Sequence, residues 1–390
     1  MGIAPNDTTS HHPRHNAVPP YVLISMAASD GEWEAPRGMR DFIANHSAAT
    51  FDPQGSEAQR RTRIATSARQ TLLLDQALRN ERTKNWLPGL GAMLDGSGKL
   101  HRKISNAQGG ELTPGTLART ESQAPTTNLD VNRAYDGLGI VYEFLADLFK
   151  RSSLDGAGLG LLGTVHYGQH YDNAFWDGTQ MVMGDGDGEI FNSFTSSLSV
   201  IAHELGHGLL QYTTNLDYHG QSGALNESIA DVFGALVEQF AAQEEVSQAS
   251  WLIGKGLFTP AVKGVALRSM AAPGSAYDDP ILGRDPQPKH MNDYVHTTED
   301  SGGVHLNSGI PNHAFYLFAM ALGGNAWHRA GTVWFNTIAT RSLPIDASFA
   351  LFAGQTLLEA RRTFGENSPE TGALGAAWAK VGIDPRLTNE

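Results

Sequence analysis

A chain that sets His-Glu-x-x-His inside an apolar stretch has few ways to fold around it. Here Ser199–Gln211 reads Ser-Val-Ile-Ala-His-Glu-Leu-Gly-His-Gly-Leu-Leu-Gln. Val200, Ile201, Leu205 and Leu209 give the stretch the apolar content of a buried helix. On a helix His203 and His207 stand one turn apart on the same face, near enough to share one metal ion. Glu204, beside the first histidine, then points at the edge of the site and handles a proton without ligating. Two histidines packed in a core are the competing reading, so further donors have to be found.

A zinc site begun by two histidines needs a third protein ligand and an open position for water. The candidate is Glu227, in Asn226-Glu227-Ser228-Ile229-Ala230-Asp231. It is expected to open a helix over 224–240 whose stripe of Ile229, Val232, Phe233, Leu236 and Val237 runs along the other side. Asp231 follows one turn later, placed to accept the second ring N–H of a ligating histidine. An acidic residue at a helix start is ordinary by itself; beside His-Glu-x-x-His it becomes a ligand candidate. Other zinc patterns fail. The metzincin form needs Gly and His where Leu210 and Thr213 stand. The gluzincin aminopeptidase form needs Glu where Asn226 stands. The chain has no cysteine, which excludes thiolate ligands, disulfides and a cysteine nucleophile.

At 390 residues the chain suits two or three folding units. Its first hundred residues are near neutral, and the formal charge of −13 comes from the rest. That balance argues against nucleic-acid binding, and no apolar run is long enough to span a membrane. Residues 1–18 read as a polar tail containing His11, His12 and His15. Pro19-Pro20-Tyr21 then opens an apolar segment, either a strand docked in a groove or a helix start, and helical text runs from Glu57 to Trp86. Gly- and Pro-rich text from Pro88 to Gly98 marks a boundary. Beyond it come short strands (103–106, 115–121, 162–167), a helix over 130–150, then an edge strand and hairpin over 171–184. Gly184–Gly188 reads as a turn rather than a calcium loop, lacking the spacing and closing Glu of an EF-hand. From Ser199 onward the text is mostly helical. The expected class is α+β, divided as 1–90, a propeptide-like segment; 91–215, a strand-rich lobe with the zinc helix; and 216–390, a helical lobe.

His203-Glu204-x-x-His207, Asn226-Glu227-x-x-x-Asp231 and Gly302-Gly303-Val304-His305-x-Asn307-Ser308-Gly309 together resemble the thermolysin family of metalloendopeptidases over about residues 100–385. The His2Glu zinc set is thermolysin's own, so it comes with the resemblance. Asn173-Ala174-Phe175-Trp176 and Leu267-Arg268-Ser269-Met270 match further family segments. Pro19-Pro20-Tyr21 resembles the protealysin-like branch, whose N-terminal region is a propeptide. The resemblance implies a two-lobed fold and a zinc endopeptidase made as an autoprocessed precursor. It implies peptide or protein substrates, with the N-terminal segment as intramolecular inhibitor. It implies Glu204 as general base, His305 and Tyr218 as donors to the tetrahedral intermediate, and Asp300 as the residue orienting His305. Asn173 and Ala174 would hold the substrate chain with Trp176 beside them, and Arg268 a substrate carbonyl. Phe191, Phe194, Val200, Ile253, Leu257 and Leu267 match the family's S1′ wall, which implies cleavage before Leu, Phe, Ile or Val, because burying such a side chain gains roughly 1.5–3 kcal/mol.

Calcium is not carried over. Family calcium ligands fall on Ser199, Ser250, Leu252, Lys255 and Val265, with only Glu238 retained. The alternative function is a catalytically idle peptide-binding protein whose groove the N-terminal segment fills. Met1–Ser10 lacks the basic start and apolar core of a secretory signal, so the cytoplasm is the default expectation, with leaderless secretion open.

Overall fold

The computed structural model describes residues 15–33, 56–81, 100–340 and 342–385. The proposed boundary near residue 90, the text after residue 81 and the first two histidines of the tail lie outside these residues. One mixed sheet of six strands carries the N-terminal lobe: β1 (His15–Asn16), β2 (Arg102–Asn106), β3 (Thr116–Thr120), β4 (Leu161–Val165), β5 (Ala174–Trp176) and β6 (Met181–Met183). The order is β1-β5-β6-β4-β2-β3, with β2, β4 and β6 parallel to one another. β5 and β6 form an antiparallel hairpin, turned by Asp177, whose Oδ1 accepts the Thr179 and Gln180 amides at 2.8 and 3.0 Å. β5 would be the sheet's edge but for β1, which pairs with it antiparallel.

Two helices of the N-terminal segment lie on this lobe. α1 (Pro20–Ala27) starts on the fixed φ of Pro20 and buries Tyr21, Val22, Leu23 and Met26. α2 (Ser56–Glu81) buries Ile64, Ala65 and Ala68, while Leu73 is 67% exposed. Leu74 and Leu78 of α2 close a cluster of Tyr167, Tyr171, Phe175 and Val182. Arg60 and Arg63 reach Glu189 at 3.1 and 2.9 Å.

α3 (Leu129–Phe149) is N-capped by Asn128, whose Oδ1 accepts the Val131 amide at 3.0 Å. It packs against both the sheet and α4 (Leu198–Gln211), a helix buried nearly all round as its apolar text requires. α5 (Gly220–Ala242) starts earlier than the sequence pattern implies, so Glu227 lies within the helix and not at its first turn. The helix-dipole explanation for Glu227 therefore falls away. α4 and α5 approach closely through glycines: a Cβ on Gly206 would come within 3.0 Å of the Ala230 backbone, and one on Gly234 within 2.5 Å of the Ser199 carbonyl. The helical lobe continues with α6 (Asp300–Asn307), α7 (Gly309–Leu322), α8 (Ala330–Ala339), α9 (Phe349–Phe364) and α10 (Pro369–Lys380). Its core is aromatic, with Trp334 and Trp378 stacked 5.7 Å apart. The Gly184–Gly188 segment is a turn in which Asp187 Oδ1 takes three backbone N–H groups, of Glu189, Ile190 and Phe191.

One ion pair ties β2 to the segment after β3. Arg102 grips Glu121 at 2.7 and 2.9 Å, and Tyr135 donates to the same carboxylate at 2.9 Å. The Arg102 hydrogen bonds hold the Glu121 carboxyl down at about 2. A folded-state value below the unfolded one of about 4.3 means stability present above that pH and lost as pH falls through about 2. Because the pair is partly exposed, about 1 kcal/mol at most is at stake. Denaturant titrations between pH 5 and 2 are expected to show that loss shrinking in Glu121→Gln. An acid limb unchanged in the variant would assign the loss to other carboxylates.

Candidate active site

The site lies where α4, α5 and α6 face the β5 edge. His203, His207 and Glu227 present ligand atoms all within 4.8 Å of one another, and all three are buried. Each imidazole is oriented through its Nδ1. That of His203 lies 2.8 Å from Asp231 Oδ1, and that of His207 lies 2.8 Å from Asn226 Oδ1. Both partners are acceptors, so both Nδ1 atoms carry the proton and both Nε2 atoms present lone pairs. Those two Nε2 atoms stand 3.1 Å apart, and Glu227 oxygens lie 3.5 and 3.6 Å from them. Lone pairs so close repel unless a cation lies between them. Zinc–ligand bonds of about 2.0–2.1 Å in a tetrahedron give ligand separations of about 3.3–3.4 Å, so the residues fit zinc.

Glu204 has no solvent exposure. Burial pushes its carboxyl well above the usual range and the Glu227 charge adds to this, opposed by the Trp176 backbone amide. Opposite it stand His305 and Tyr218, the His305 Nε2 lying 3.3 Å from the Tyr218 hydroxyl and 3.4 Å from Glu227 Oε2. The Tyr218 hydroxyl also donates to Glu227 Oε1. Asp300, Ser301, Gly302 and Gly303 all have positive φ, winding the chain left-handed ahead of the His305 turn. Glycine suits 302 twice over, since a Cβ there would also meet the Gly220 amide at 3.0 Å. This coil brings Asp300 onto His305 from two directions, 2.7 Å from Nδ1 and 2.9 Å from its backbone N–H. Burial opposes the imidazolium, but Asp300 and then Glu227 favour it, and His305 is pushed up to about 9.

Asp231 does more than orient His203. It accepts Arg268 Nε and Nη2, each at 2.8 Å, and Asn312 Nδ2 at 2.9 Å. Arg268 is thereby fixed with its remaining nitrogen, Nη1, directed to a backbone carbonyl 2.9 Å away, that of Ala17. Asn173 and the Ala174 carbonyl line the same groove and hold Val18 and Ala17. Trp176 is placed differently from a groove residue: its indole backs onto the zinc helix, against Gly208, and donates to Gln211 at 2.9 Å. Phe191, Phe194, Val200, Ile253, Leu257 and Leu267 are all buried in one core.

Sequence reasoning missed Asn226 as the orienting partner of His207, although it stands inside the quoted motif. It also missed Asn312 and Gln287, whose amide donates to the His305 carbonyl at 2.7 Å. No local pattern marks either. Asn16, Ala17 and Val18 bond the groove residues directly, and the chain then enters α1 at Pro20, with Tyr21 buried near enough to Arg268 and Asp300 to feel both charges.

Residues 93–211 match the family described as thermolysin metallopeptidase, catalytic domain, and residues 214–383 match its alpha-helical domain. An extracellular metalloprotease of Pectobacterium carotovorum subsp. carotovorum is 50% identical over 74% of this chain and 83% of its own length. An extracellular minor metalloprotease of Serratia marcescens is 38% identical, over 80% of this chain and 86% of its own. Among solved structures, the precursor of protealysin, a metalloproteinase from Serratia proteamaculans, superposes with a TM-score of 0.78 at 42% identity, covering 95% of this chain and 99% of that one. Nothing in these similarities favours the idle peptide-binding alternative. They overturn the cytoplasmic default: relatives named as extracellular point outside the cell, and the polar text of Met1–Ser10 does not indicate the compartment. Among the described residues no helix is long and apolar enough to cross a membrane.

Proposed function

Since the chain belongs to the thermolysin family of metallopeptidases and is a zinc-dependent endopeptidase acting on peptide substrates, we propose the following division of labour among its residues. His203, His207 and Glu227 hold the zinc, which when bound lowers the pKa of water and polarises a carbonyl. Glu204 takes the proton of the attacking water and passes it to the leaving amine; its burial supports this, because a desolvated carboxylate with a raised pKa is a better base. His305 and Tyr218 donate to the carbonyl oxygen as charge develops on it. Asp300 positions His305, while Asp231 positions both His203 and Arg268. Asn173 and the Ala174 carbonyl bind the substrate backbone as an added strand on β5, and Arg268 takes the next carbonyl along. Phe191, Phe194, Val200, Ile253, Leu257 and Leu267 are the proposed wall for a bulky apolar side chain after the scissile bond.

The observation that carries this reading is the convergence of two Nε2 lone pairs and one carboxylate from two helices. The expected stoichiometry is one zinc per chain. Chelation is expected to stop casein cleavage and added zinc to restore it; cleavage that survives a zinc-free preparation would defeat the assignment.

The N-terminal segment acts in this reading as an intramolecular inhibitor. Asn16–Val18 fills the groove, and Asp75 of α2 shares the Asn173 amide, 3.1 Å from its Nδ2. The division into 1–90, 91–215 and 216–390 follows as a proposal. Casein cleavage by the intact chain is expected to show a lag that ends as residues 1–90 are lost. Full activity from the first minute with an intact N-terminus would count against inhibition.

A further inference from the structure

The N-terminal strand does more than cover the groove, because its hydrogen bonds follow one direction and one register. The Asn16 carbonyl oxygen accepts from His305 Nε2 at 2.9 Å. One residue on, the Ala17 amide donates to the Ala174 carbonyl at 2.9 Å, and the Ala17 carbonyl accepts from Arg268 Nη1 at 2.9 Å. Next, the Val18 amide donates to Asn173 Oδ1 at 2.8 Å, and its carbonyl takes Asn173 Nδ2 at 3.4 Å. The strand runs antiparallel to β5, with Asn16 opposite Phe175 and His15 opposite Trp176. Pro19 then ends it, having no N–H to offer. His305, the Ala174 carbonyl, Arg268 and Asn173, all assigned above to a substrate, are thus engaged, in chain order. The carbonyl at the proton donor is that of Asn16.

Resting on the peptidase reading, we propose that Asn16–Val18 lies in the register of a substrate, so that Asn16–Ala17 is a bond the chain hydrolyses in itself. Water adds its hydroxyl to the Asn16 carbonyl carbon and the C–N bond breaks. Glu204 takes the water proton and returns it to the Ala17 nitrogen, leaving an Asn16 carboxylate and an Ala17 amine. The step is slow for a reason visible in the sequence. Ala17 follows the reacting carbonyl, where the apolar wall is proposed to receive a bulky side chain, and a methyl group fills little of it. After the cut, Ala17 and Val18 stay tethered to α1, whose Tyr21, Val22, Leu23 and Met26 are buried. Release of residues 1–16 therefore precedes, and does not equal, opening of the groove.

The test uses the full-length chain, prepared with chelator and then given zinc in water enriched in oxygen-18. A product beginning at Ala17 is expected, at a rate independent of protein concentration, with the heavy oxygen on Asn16. Glu204→Gln is expected not to form it, and Ala17→Leu to form it about tenfold faster. In the zinc-free chain the Ala17 and Val18 amides are expected to exchange slowly, which reads the register without any activity. Rapid exchange at both amides overturns the proposal, whatever the activity. So does a chain that cleaves casein but leaves Asn16–Ala17 intact in wild type and Ala17→Leu alike, while the peptidase reading stands. A zinc-loaded chain inert on casein and on itself overturns both.

Discussion

Replacing Glu204 with glutamine is expected to lower peptide hydrolysis about 10²–10⁴-fold while zinc stays at one ion per chain. Glutamine keeps the shape of the side chain but cannot accept a proton, so what is lost is the transfer itself, about 3–5 kcal/mol of barrier. The folded state should not suffer. Glu204 is wholly buried, its ionised form is disfavoured by burial and by Glu227, and a neutral amide removes that penalty. Thermal unfolding of Glu204→Gln is therefore expected at or above the wild-type temperature. Zinc content, casein turnover and unfolding measured on one preparation separate the possibilities. Near-normal turnover would remove Glu204 from the chemistry, and loss of zinc with loss of turnover would make it a structural residue instead.

Asp231→Ala is expected to cost about 3–5 kcal/mol of stability, because it strands a charge. Arg268 is buried, and Asp231 takes two of its nitrogens at 2.8 Å each. The Arg268 charge in turn holds the Asp231 carboxyl ionised against its burial, well below the usual carboxylate range. Removing the carboxylate leaves the guanidinium with the Ala17 carbonyl, and leaves Asn312 Nδ2 and His203 Nδ1 without their acceptor. Zinc affinity is expected to fall about 10–100-fold as His203 loses its orienting partner. Denaturant unfolding of zinc-free protein reads the first effect, and competition with a chelator reads the second. The double variant Asp231→Ala, Arg268→Met should recover much of the stability and none of the affinity, since the buried charge is gone while His203 remains unoriented. A single-variant loss under 1 kcal/mol would show that water reaches Arg268.

The two largest effects fall on residues that were both legible, although one of their partnerships was not. Glu204 was marked by its place in His-Glu-x-x-His, and Asp231 by its one-turn spacing from Glu227; the structure puts both at the histidines. Helical spacing is local and periodic, so residues four apart can be placed on one face before any fold is known. The partnership of Asp231 with Arg268 was not legible, because the two lie 37 positions apart and meet only when the lobe closes. The start of α5 was read four residues late for a related reason. Gly220–Gly223 carries no apolar stripe, and what extends the helix is packing under the His305 coil, where Gly220 lies against Gly302.

By itself the sequence marked a metal site, with two histidines at helical spacing and an acid beside the first, and the resemblance to the thermolysin family implied zinc and Glu227. The sequence determined the helical and strand-rich halves as well, because period-3.6 and period-2 patterns are written in neighbouring residues. Only the tertiary structure decided what fills the groove. A strand added to a sheet edge is specified by backbone N–H and C=O groups that every residue carries, so nothing in the text of Asn16-Ala17-Val18 sets it apart. Its place against β5 comes from where α1, α2 and the proline pair leave it, and those contacts join residues more than 100 positions apart.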